Sequence, residues 1–339
     1  MTVQIYSREL MTKSKPQIPF PPDFRFENHI RAVPQEGKYV YEFIGTDTFG
    51  SQWYRRQRFE IDAGREEEPT LYEPIYSTVT DPNLPKHIDI DRMGPAGVFL
   101  EEIKEGGEVK FGTITSSQYS IPMRHYAVGL EYSDDLVAFN QTWNVAMYER
   151  QVGMSYNALR NHIHLSPILD FSYTSANQTA GVTDAASYPE AYLRTLEAAI
   201  TAGRVDTTNR RRGPYVLLVA PDDLFLVERA LTRVNQQGVT VQSSAIDMVR
   251  SVIAYDGWSG TRGKKEVNYP GVTAGIAYLI SLQYRNQDFQ SFVKQGLEEY
   301  GRQEDVSRFL LQIVWDTRFS MFANPERAVE EITWPTSLT

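Results

Sequence analysis

The stretch Ser133–Leu165, SDDLVAFNQTWNVAMYERQVGMSYNALRNHIHL, is the longest run of the chain without a proline or a cluster of turn residues. Ser133 is a suitable helix N-cap, and the two aspartates after it suit the positive end of the helix dipole. Pro167 disfavours helical backbone at the residue before it and predicts the end of the helix. We therefore expect one helix of about 33 residues, a rod of roughly 50 Å.

Apolar residues recur along this helix at steps of three, four or seven, which predicts one buried stripe. The stripe consists of Leu136, Trp143, Met147, Met154, Ala158 and Leu165. Gly153 costs about 1 kcal/mol relative to alanine inside a helix, so a bend over 147–156 is expected. A rod of this length at mid-chain also implies that other segments lie along it.

The composition excludes several classes of function. The chain has 339 residues, room for two domains, and its net charge of −9 argues against a general nucleic-acid binder. The absence of cysteine excludes disulfides, thiolate metal sites and cysteine catalysis. No signal peptide or membrane-spanning stretch is present, so a soluble protein made in a cytoplasm is expected. The many tyrosines and phenylalanines suit either protein–protein contact or an aromatic-rich core.

The segments before the helix are expected to be extended or irregular. Residues 1–50 are rich in proline and predict an arm that a partner surface orders, or else a disordered tail. Prolines from Pro69 onward predict irregular structure over 51–96. A basic cluster in that segment is a candidate for contact between subunits, or a solvated face: Arg55, Arg56 and Arg58.

Residues 97–132 are predicted to form strands. GVFLEEI and EVKFGTI flank KEGG, so Gly106–Gly107 is expected to be the turn of a projecting hairpin. The charged tip of the hairpin supplies further candidates for contact between subunits: Lys104, Glu105, Glu108 and Lys110. The alternation in RHYAVGLEY predicts a strand that runs directly into the helix. The apolar face of this strand comprises Tyr126, Val128, Leu130 and Tyr132.

Beyond the helix, 170–188 reads as a linker, and about 185–285 alternates strands and helices as an α/β domain does. PYVLLVAP and AGIAYLISL are predicted buried strands. PEAYLRTLEAAITAGRV, PDDLFLVERALTRV and the shorter SSAIDMVRSV are predicted helices. From Gln287 we expect a strand and turn, then a long strand (RFLLQIVWDTRFSMF), then a short turn and final strand (ANPERAVEEITW). A second basic cluster is a candidate for contact with phosphates or a neighbouring subunit, or a solvated loop: Arg210, Arg211 and Arg212.

No catalytic, cofactor-binding or metal-binding pattern emerges from the sequence. His162 and His164 are two residues apart on the predicted helix, about 200° around it, and do not share a metal in that geometry. Asp222 and Asp223 are explained as the N-terminus of a helix. Phosphate-loop, nucleophile-elbow and zinc-protease motifs are absent.

The order of these parts resembles the major capsid proteins of tailed bacteriophages, the Hong Kong 97 fold, which encapsulin shells share. The best local matches are IPMRHYAVGLEYSDDL, NYPGVTAGIAYLISL and RFLLQIVWDTRFSMFANPERAVEEI, the last similar to the final P-domain strand of the family. The resemblance implies an α+β fold with five parts. They are an extended N-terminal arm (1–50), a P-domain strand with the projecting E-loop hairpin (51–130), the P-domain spine helix and linker (131–182), an α/β axial or A-domain (183–286), and strands returning to the A- and P-domains (287–339).

The resemblance also implies a function. The chain is expected to be a non-enzymatic shell protein that self-assembles into pentamers and hexamers, forming an icosahedral phage head around double-stranded DNA. Implied partners are further copies, a separate scaffolding protein (since the arm begins near Met1), a portal, a decoration protein and non-specifically contacted DNA, with no membrane. The implied location is the virion, assembled in the cytoplasm of a bacterial host. Some relatives crosslink an E-loop lysine to an asparagine, but nothing here specifies that asparagine.

Two alternatives stay open. One is an encapsulin-like shell that encloses protein cargo. The other is a soluble oligomeric α/β enzyme whose site uses no recognised motif.

Overall fold

A computed structural model describes residues 47–93, 116–133, 142–206, 208–232, 235–236, 239–240, 247–262, 265–305 and 310–339. Within these ranges the helices are α1 (Asp47–Glu67), α2 (Thr142–Leu169), α3 (Tyr188–Val205), α4 (Pro221–Leu231), α5 (Arg285–Asp288) and α6 (Pro325–Ala328). The strands are β1 (Ser77–Thr80), β2 (His87–Met93), β3 (Ser116–Pro122), β4 (Arg124–Ser133), β5 (Gln178–Thr179), β6 (Tyr215–Val219), β7 (Asn235–Gln236), β8 (Val239–Thr240), β9 (Val249–Ala254), β10 (Gly257–Arg262), β11 (Lys265–Pro270), β12 (Ile276–Ser281), β13 (Phe289–Asp305), β14 (Leu310–Ala323) and β15 (Val329–Thr333).

Two sheets organise these elements. Strands β1, β13, β14 and β4, in that order, form the sheet called here the long sheet. Strands β5, β15, β12, β6 and β9, in that order, form the central sheet. Three further pairs are antiparallel ribbons: β2 with β3, β7 with β8, and β10 with β11.

The central sheet has a hydrophobic core on each face, because successive side chains of its inner strands point to opposite faces. In β6 all five residues are buried. Val216 and Leu218 face a core that includes Leu165 and Ile168 of α2. The intervening residues, Leu217 among them, face a second core built with α3 and α4. The predicted buried strands and the two long predicted helices of this region are therefore confirmed.

The third helix predicted in this region ends earlier than predicted: of its residues, 243–246 lie outside the described part of the chain and 247–248 are helical. β9 begins at Val249, within the predicted helix SSAIDMVRSV, and pairs in parallel with β6 from Tyr215 to Val219. Pairing with a central strand supplies β9 with hydrogen bonds that the local sequence pattern does not reveal.

In the long sheet, β13 and β14 form a hairpin of 17 and 14 residues. The turn predicted after the first part of β13 is wrong, because β13 stays paired with β14 to Asp305. At three register irregularities between Val293 and Gly301, β13 has one more residue than the facing part of β14, and the pairing resumes after each. The long strand predicted over β14 is confirmed, and so are the short turn and final strand. The final strand, β15, pairs with β12 in the central sheet, so this stretch contributes to both sheets.

The mid-chain helix is real, but its predicted ends are wrong. Ser133 is the last residue of β4, paired with Leu310, and α2 begins at Thr142. The predicted cap aspartates lie outside the described residues. α2 also passes Pro167 to Leu169, and Asp170 N donates to the Ser166 carbonyl at 2.8 Å. A proline in the last turn removes one backbone hydrogen-bond donor from the helix. Ile168, next to it, is fully buried, and this packing holds the last turn in place.

The predicted apolar stripe of α2 is only partly correct. Ala158 and Leu165 are buried, but Met147 is 48% exposed, and the side chains of Leu136 and Trp143 are not described. Because α2 packs between α1 and the long sheet, its buried face is wider than one stripe. That face includes polar residues, among them Asn157 and Asn161.

Helix α1 contradicts the irregular structure predicted for 51–96. It spans 21 residues and ends before Pro69, where the prolines of this segment begin. It runs parallel to α2, because the hydrogen-bonded partners across this contact and just beyond its end are always 83 to 92 positions apart. Its first residues, 47–50, belong to the segment predicted as the arm.

Two glycines allow α1 and α2 to touch through their backbones. A Cβ on Gly153 would lie 2.0 Å from the Ile61 carbonyl oxygen, and one on Gly64 would lie 2.0 Å from the Arg150 carbonyl oxygen. Gly153 is therefore explained by close helix contact, and the expected bend is not needed to account for it. Asn157 adds hydrogen bonds of 2.8 and 2.7 Å from its amide nitrogen to backbone carbonyls at the end of α1.

The predicted hairpin turn at Gly106–Gly107 lies outside the described residues, as do both of its strands. The flanking strands β2 and β3 are antiparallel, with His87 opposite Pro122 and Met93 opposite Ser116.

Candidate assembly surfaces

The charged residues predicted to contact other subunits are spread over the fold. The hairpin residues Lys104, Glu105, Glu108 and Lys110 lie outside the described part of the chain. The first arginine cluster lies on α1, where Arg58 is exposed and the side chains of Arg55 and Arg56 are not described.

In the second arginine cluster, Arg210 and Arg212 are exposed, but Arg211 is 2% exposed. The Arg211 guanidinium lies 2.7 Å from the Glu330 carboxylate on β15 and 3.4 Å from Asp206. It also donates a 3.0 Å hydrogen bond to the Ala176 carbonyl. The expectation that this side chain contacts phosphates or a neighbour is therefore corrected: its described partners are within the chain.

Glu330 is as deeply buried as its arginine partner. Burial raises the pKa of its carboxyl, and a hydrogen bond from Thr179 and the positive charge of Arg211 limit that rise. This ion pair ties the final strand to the loop before β6. The pattern NRRRG carries no signal that singles out its middle arginine.

The ribbon β2–β3 continues almost directly into β4, with Met123 as the intervening residue. β14 accompanies it along one edge: Ser320 Oγ donates to the Pro122 carbonyl at 2.9 Å, and the rings of Tyr119 and Phe322 lie 5.8 Å apart. β2 therefore occupies the opposite edge of β3. The result is a ribbon that leads away from the long sheet toward the residues where the hairpin was predicted.

A small cleft of about 70 Å³ lies between α2 and the long sheet. Tyr126 and Val128 line it from the strand, and Val152, Tyr156 and Leu159 line it from the helix. The half-buried positions Tyr126, Val128 and Leu130 alternate with exposed neighbours, as the sequence predicted for this face of β4.

Large apolar side chains are also exposed at separate places on the surface. Phe225 on α4 is 78% exposed, Tyr300 on β13 is 72% exposed, and Phe59 on α1 is 64% exposed. Tyr300 sits at a register irregularity of β13, where the extra residue has no partner on β14. Such side chains gain free energy when a partner surface covers them.

Asp223 does more than open a helix. Its two carboxylate oxygens accept hydrogen bonds from Tyr192 Oη at 3.0 Å and from the backbone N–H of Gly275 at 2.8 Å. Gly275 has a φ of +83°, which favours glycine. Asp223 thus joins α3, α4 and the turn before β12, a role that the paired-aspartate motif did not reveal.

The two helix histidines have separate surroundings. His164 is fully buried and hydrogen-bonds through both ring nitrogens, whereas the ring of His162 stacks on Tyr269 at 4.4 Å. Burial lowers the pKa of both, that of His164 to about 3. Among the described residues, no group of three or more acidic or histidine side chains is placed to hold a metal ion. Likewise, no helix in the described ranges is long and apolar enough to cross a membrane.

No protein-family model and no curated protein matches this chain. Solved structures do match its fold. A virus-like particle from Pyrococcus furiosus has a TM-score of 0.51 at 12% identity, covering 84% of this chain and 99% of that one. The mature capsid of bacteriophage PhiM1 has a TM-score of 0.50 at 13% identity, covering 79% and 88%. The capsid of cyanophage P-SCSP1u has a TM-score of 0.51 at 12% identity, covering 80% and 89%.

These likenesses extend over most of each chain, which shows a shared fold. The α+β architecture is that of tailed-phage capsid proteins, as the sequence resemblance predicted.

Proposed function

We propose that this chain is a major capsid protein whose function is to assemble with copies of itself into a closed shell. The observation that carries the proposal is the fold, which matches capsid chains over 79% and 80% of this chain's length. In its full form, the proposal is that pentamers and hexamers build an icosahedral phage head around double-stranded DNA.

The surfaces described above support assembly. A ribbon and a long hairpin extend from the sheets, and exposed aromatic side chains lie on α1, α4 and β13. Burying such groups against neighbouring copies supplies the main favourable free energy of association. Exposed cations such as Arg58, Arg210 and Arg212 are proposed to set register by pairing with acidic groups on neighbours. The hairpin residues Lys104, Glu105, Glu108 and Lys110 are proposed for the same role.

The charge of the chain is compatible with a DNA container. A net charge of −9 prevents tight general binding of the packaged polyanion, while a few local cations on an inner surface suffice for weak, non-specific contact. The proposal assigns no catalytic activity and no cofactor to the chain. It includes a separate scaffolding protein, a portal and a decoration protein as partners, the host bacterial cytoplasm as the place of assembly, and the virion as the final location.

The test is assembly itself. The full chain is produced alone and together with the neighbouring genes of its source, then separated by size-exclusion chromatography and imaged by electron microscopy. Closed particles of uniform diameter are expected. A small discrete oligomer that never closes into particles under any of these conditions would contradict the proposal and favour the alternative of an oligomeric enzyme.

A second candidate is a shell that holds protein cargo instead of a genome. It is favoured by the virus-like particle from Pyrococcus furiosus, 99% of whose chain is covered by the structural match. Nuclease treatment of intact particles separates the two functions. DNA that stays protected supports the phage head, and particles that retain only co-purified protein support the cargo shell.

A further inference from the structure

One end of the central sheet gathers arginines from several elements. β6 and β9 begin at this end and β12 finishes there, because Tyr215 lies opposite both Val249 and Ser281. The end of α3 adjoins the loop before β6, where Arg211 N donates to the Gly203 carbonyl at 2.8 Å. α4 follows β6 and returns along it, so its last turn lies at the same end. Four of these arginines are called here the arginine rim: Arg204 on α3, Arg229 on α4, Arg250 on β9 and Arg285 on α5.

A bulge sets Arg250 apart from the strand pairing. β9 pairs Val249 with Tyr215 and Ser251 with Val216, so Arg250 is an extra residue with no partner on β6. Bulges at the rim of a sheet change the direction of a side chain. The Arg250 side chain is exposed, so it is accessible to a binding partner.

Arg285 is held close to Arg250. Its guanidinium donates hydrogen bonds to the backbone carbonyls of Glu73 and Tyr76, which fix its position. Burial and the positive charge of Arg250 lower the pKa of Arg285. Two like charges are therefore held near each other in the free subunit, an arrangement that costs free energy. An anion bound to both would offset that cost.

Helix dipoles explain only half of the rim. Arg204 and Arg229 lie in the last turns of α3 and α4, where a cation complements the negative end of the helix. Arg250 lies on a strand, and Arg285 is the first residue of α5. The gathering of all four arginines at one end therefore needs another physical reason.

Acidic side chains do not balance this end of the sheet. Asp206 lies 3.4 Å from the buried Arg211, and Asp288 lies 3.6 Å from Arg327. Among the described residues, the exposed acidic side chains near this end are fewer than the exposed arginines of the rim and the adjoining loop: Glu73, Glu228 and Asp247. A local excess of arginine on a chain with a net charge of −9 indicates a surface for an anionic partner.

We infer that the arginine rim binds the phosphodiester backbone of double-stranded DNA. This inference rests on the proposed function and names the surface that contacts the packaged genome. Guanidinium groups form paired hydrogen bonds with phosphate oxygens. Cations spread over several elements suit a row of regularly spaced phosphates, and such contacts do not depend on base sequence. The loop residues Arg210 and Arg212, proposed above to pair with a neighbouring copy, are not part of the rim.

The test measures how salt weakens DNA binding. The unassembled full chain is titrated into a fluorescein-labelled duplex of about 30 base pairs, and fluorescence anisotropy is followed between about 50 and 200 mM salt. With about four phosphate contacts, the affinity should fall about 100-fold over this range. Arg229→Gln combined with Arg250→Gln should reduce the slope of log affinity against log salt by about two.

The matched control removes the same charge elsewhere. Arg58 on α1 and Arg194 near the start of α3 are both exposed. Arg58→Gln combined with Arg194→Gln changes the net charge by the same amount as the rim variant. This control should keep the native slope, because neither residue belongs to the rim.

A second measurement needs no substitution. DNA-filled particles, particles emptied of DNA and unassembled subunits are treated with phenylglyoxal, which modifies arginine, and the modified residues are identified by mass spectrometry. Arg250 is expected to react severalfold more slowly in filled particles than in emptied ones. Bound phosphates exclude the reagent from the guanidinium, and this protection is lost when the DNA leaves.

The outcomes separate the rim from the shell. No DNA binding at the lowest salt, or equal slopes for the native chain and the rim variant, would overturn the inference. Equal protection of Arg250 in filled and emptied particles would also overturn it, since an acidic segment of a neighbouring copy would then be the partner. These results leave the proposed shell intact. The reduced slope in a chain that forms only small oligomers would support the rim and contradict the shell.

Discussion

The buried histidine of α2 should make the subunit sensitive to mild acid. The His164 ring is fully buried and stacks on Tyr72 at a centroid distance of 3.9 Å. Its Nδ1 lies 2.7 Å from the Arg160 carbonyl oxygen and its Nε2 lies 2.8 Å from Ser291 Oγ. The neutral ring therefore donates from Nδ1 and accepts at Nε2. Burial lowers its pKa from 6.5 to about 3, and the nearby charge of Arg160 acts in the same direction.

The direction of the pH effect follows from this lowered pKa. Below pH 6.5 the unfolded chain binds a proton at this position, and the folded chain does not until about pH 3. The free energy of unfolding therefore falls as the pH falls, by about 1.4 kcal/mol per pH unit. Between pH 6.5 and 4.5 this one residue should cost roughly 2 kcal/mol of stability, because the unfolded ring is already half protonated at pH 6.5.

The assay is urea unfolding of the unassembled subunit at several pH values between 7 and 4.5, for the native chain and His164→Gln. At pH 7 the variant should be less stable by about 1 to 3 kcal/mol, because the ring stack and a buried hydrogen bond are lost. The free energy of unfolding of the variant should then fall less steeply as the pH falls. The difference in slope should correspond to about one fewer proton taken up on unfolding. The exposed His87 on β2, changed to Gln, is the matched control and should keep the native slope. Equal slopes for the native chain and His164→Gln would refute the reasoning.

Three further changes test the packing and the surface. Gly153→Ala or Gly64→Ala should lower stability by about 2 to 4 kcal/mol in thermal or urea unfolding, because each new Cβ would lie 2.0 Å from a carbonyl oxygen of the facing helix. Arg211→Met should cost about 3 to 5 kcal/mol, since it leaves the Glu330 carboxylate buried without its cation. Tyr300→Ser should leave the melting temperature nearly unchanged yet reduce the yield of particles in electron micrographs, because this side chain is 72% exposed in the subunit.

Each change has a control in the same chain. Gly296→Ala on β13 has nothing within 4 Å and should alter stability by less than about 0.5 kcal/mol. Arg212→Met, at an exposed neighbour of Arg211, should have an equally small effect. If Gly153→Ala stabilised the subunit, as alanine does in an isolated helix, the backbone contact between α1 and α2 would be wrong. If Tyr300→Ser lowered the melting temperature, Tyr300 would belong to the subunit core and not to its surface.

The sequence alone determined the elements whose patterns are local. YVLLV predicted a strand buried on both faces, and β6 is buried throughout. The period-two alternation of RHYAVGLEY predicted β4, and the caps and apolar spacing of 188–205 and 221–231 predicted α3 and α4. In these segments, propensity and hydrophobic period agree with the burial that the fold imposes, so neighbouring residues contain enough information.

The tertiary structure alone decided what depends on partners distant in sequence. The strand β4 continues to Ser133 because Leu310 pairs with it, although Ser133 is also a good helix cap. α1 is a helix in spite of its polar composition because Gly64 and Gly153 bring its backbone against α2, about 90 residues further along. Arg211 is buried because Glu330 reaches it from the last strand. Each of these outcomes depends on the free energy of contacts between segments far apart in the chain, which no local window of sequence contains.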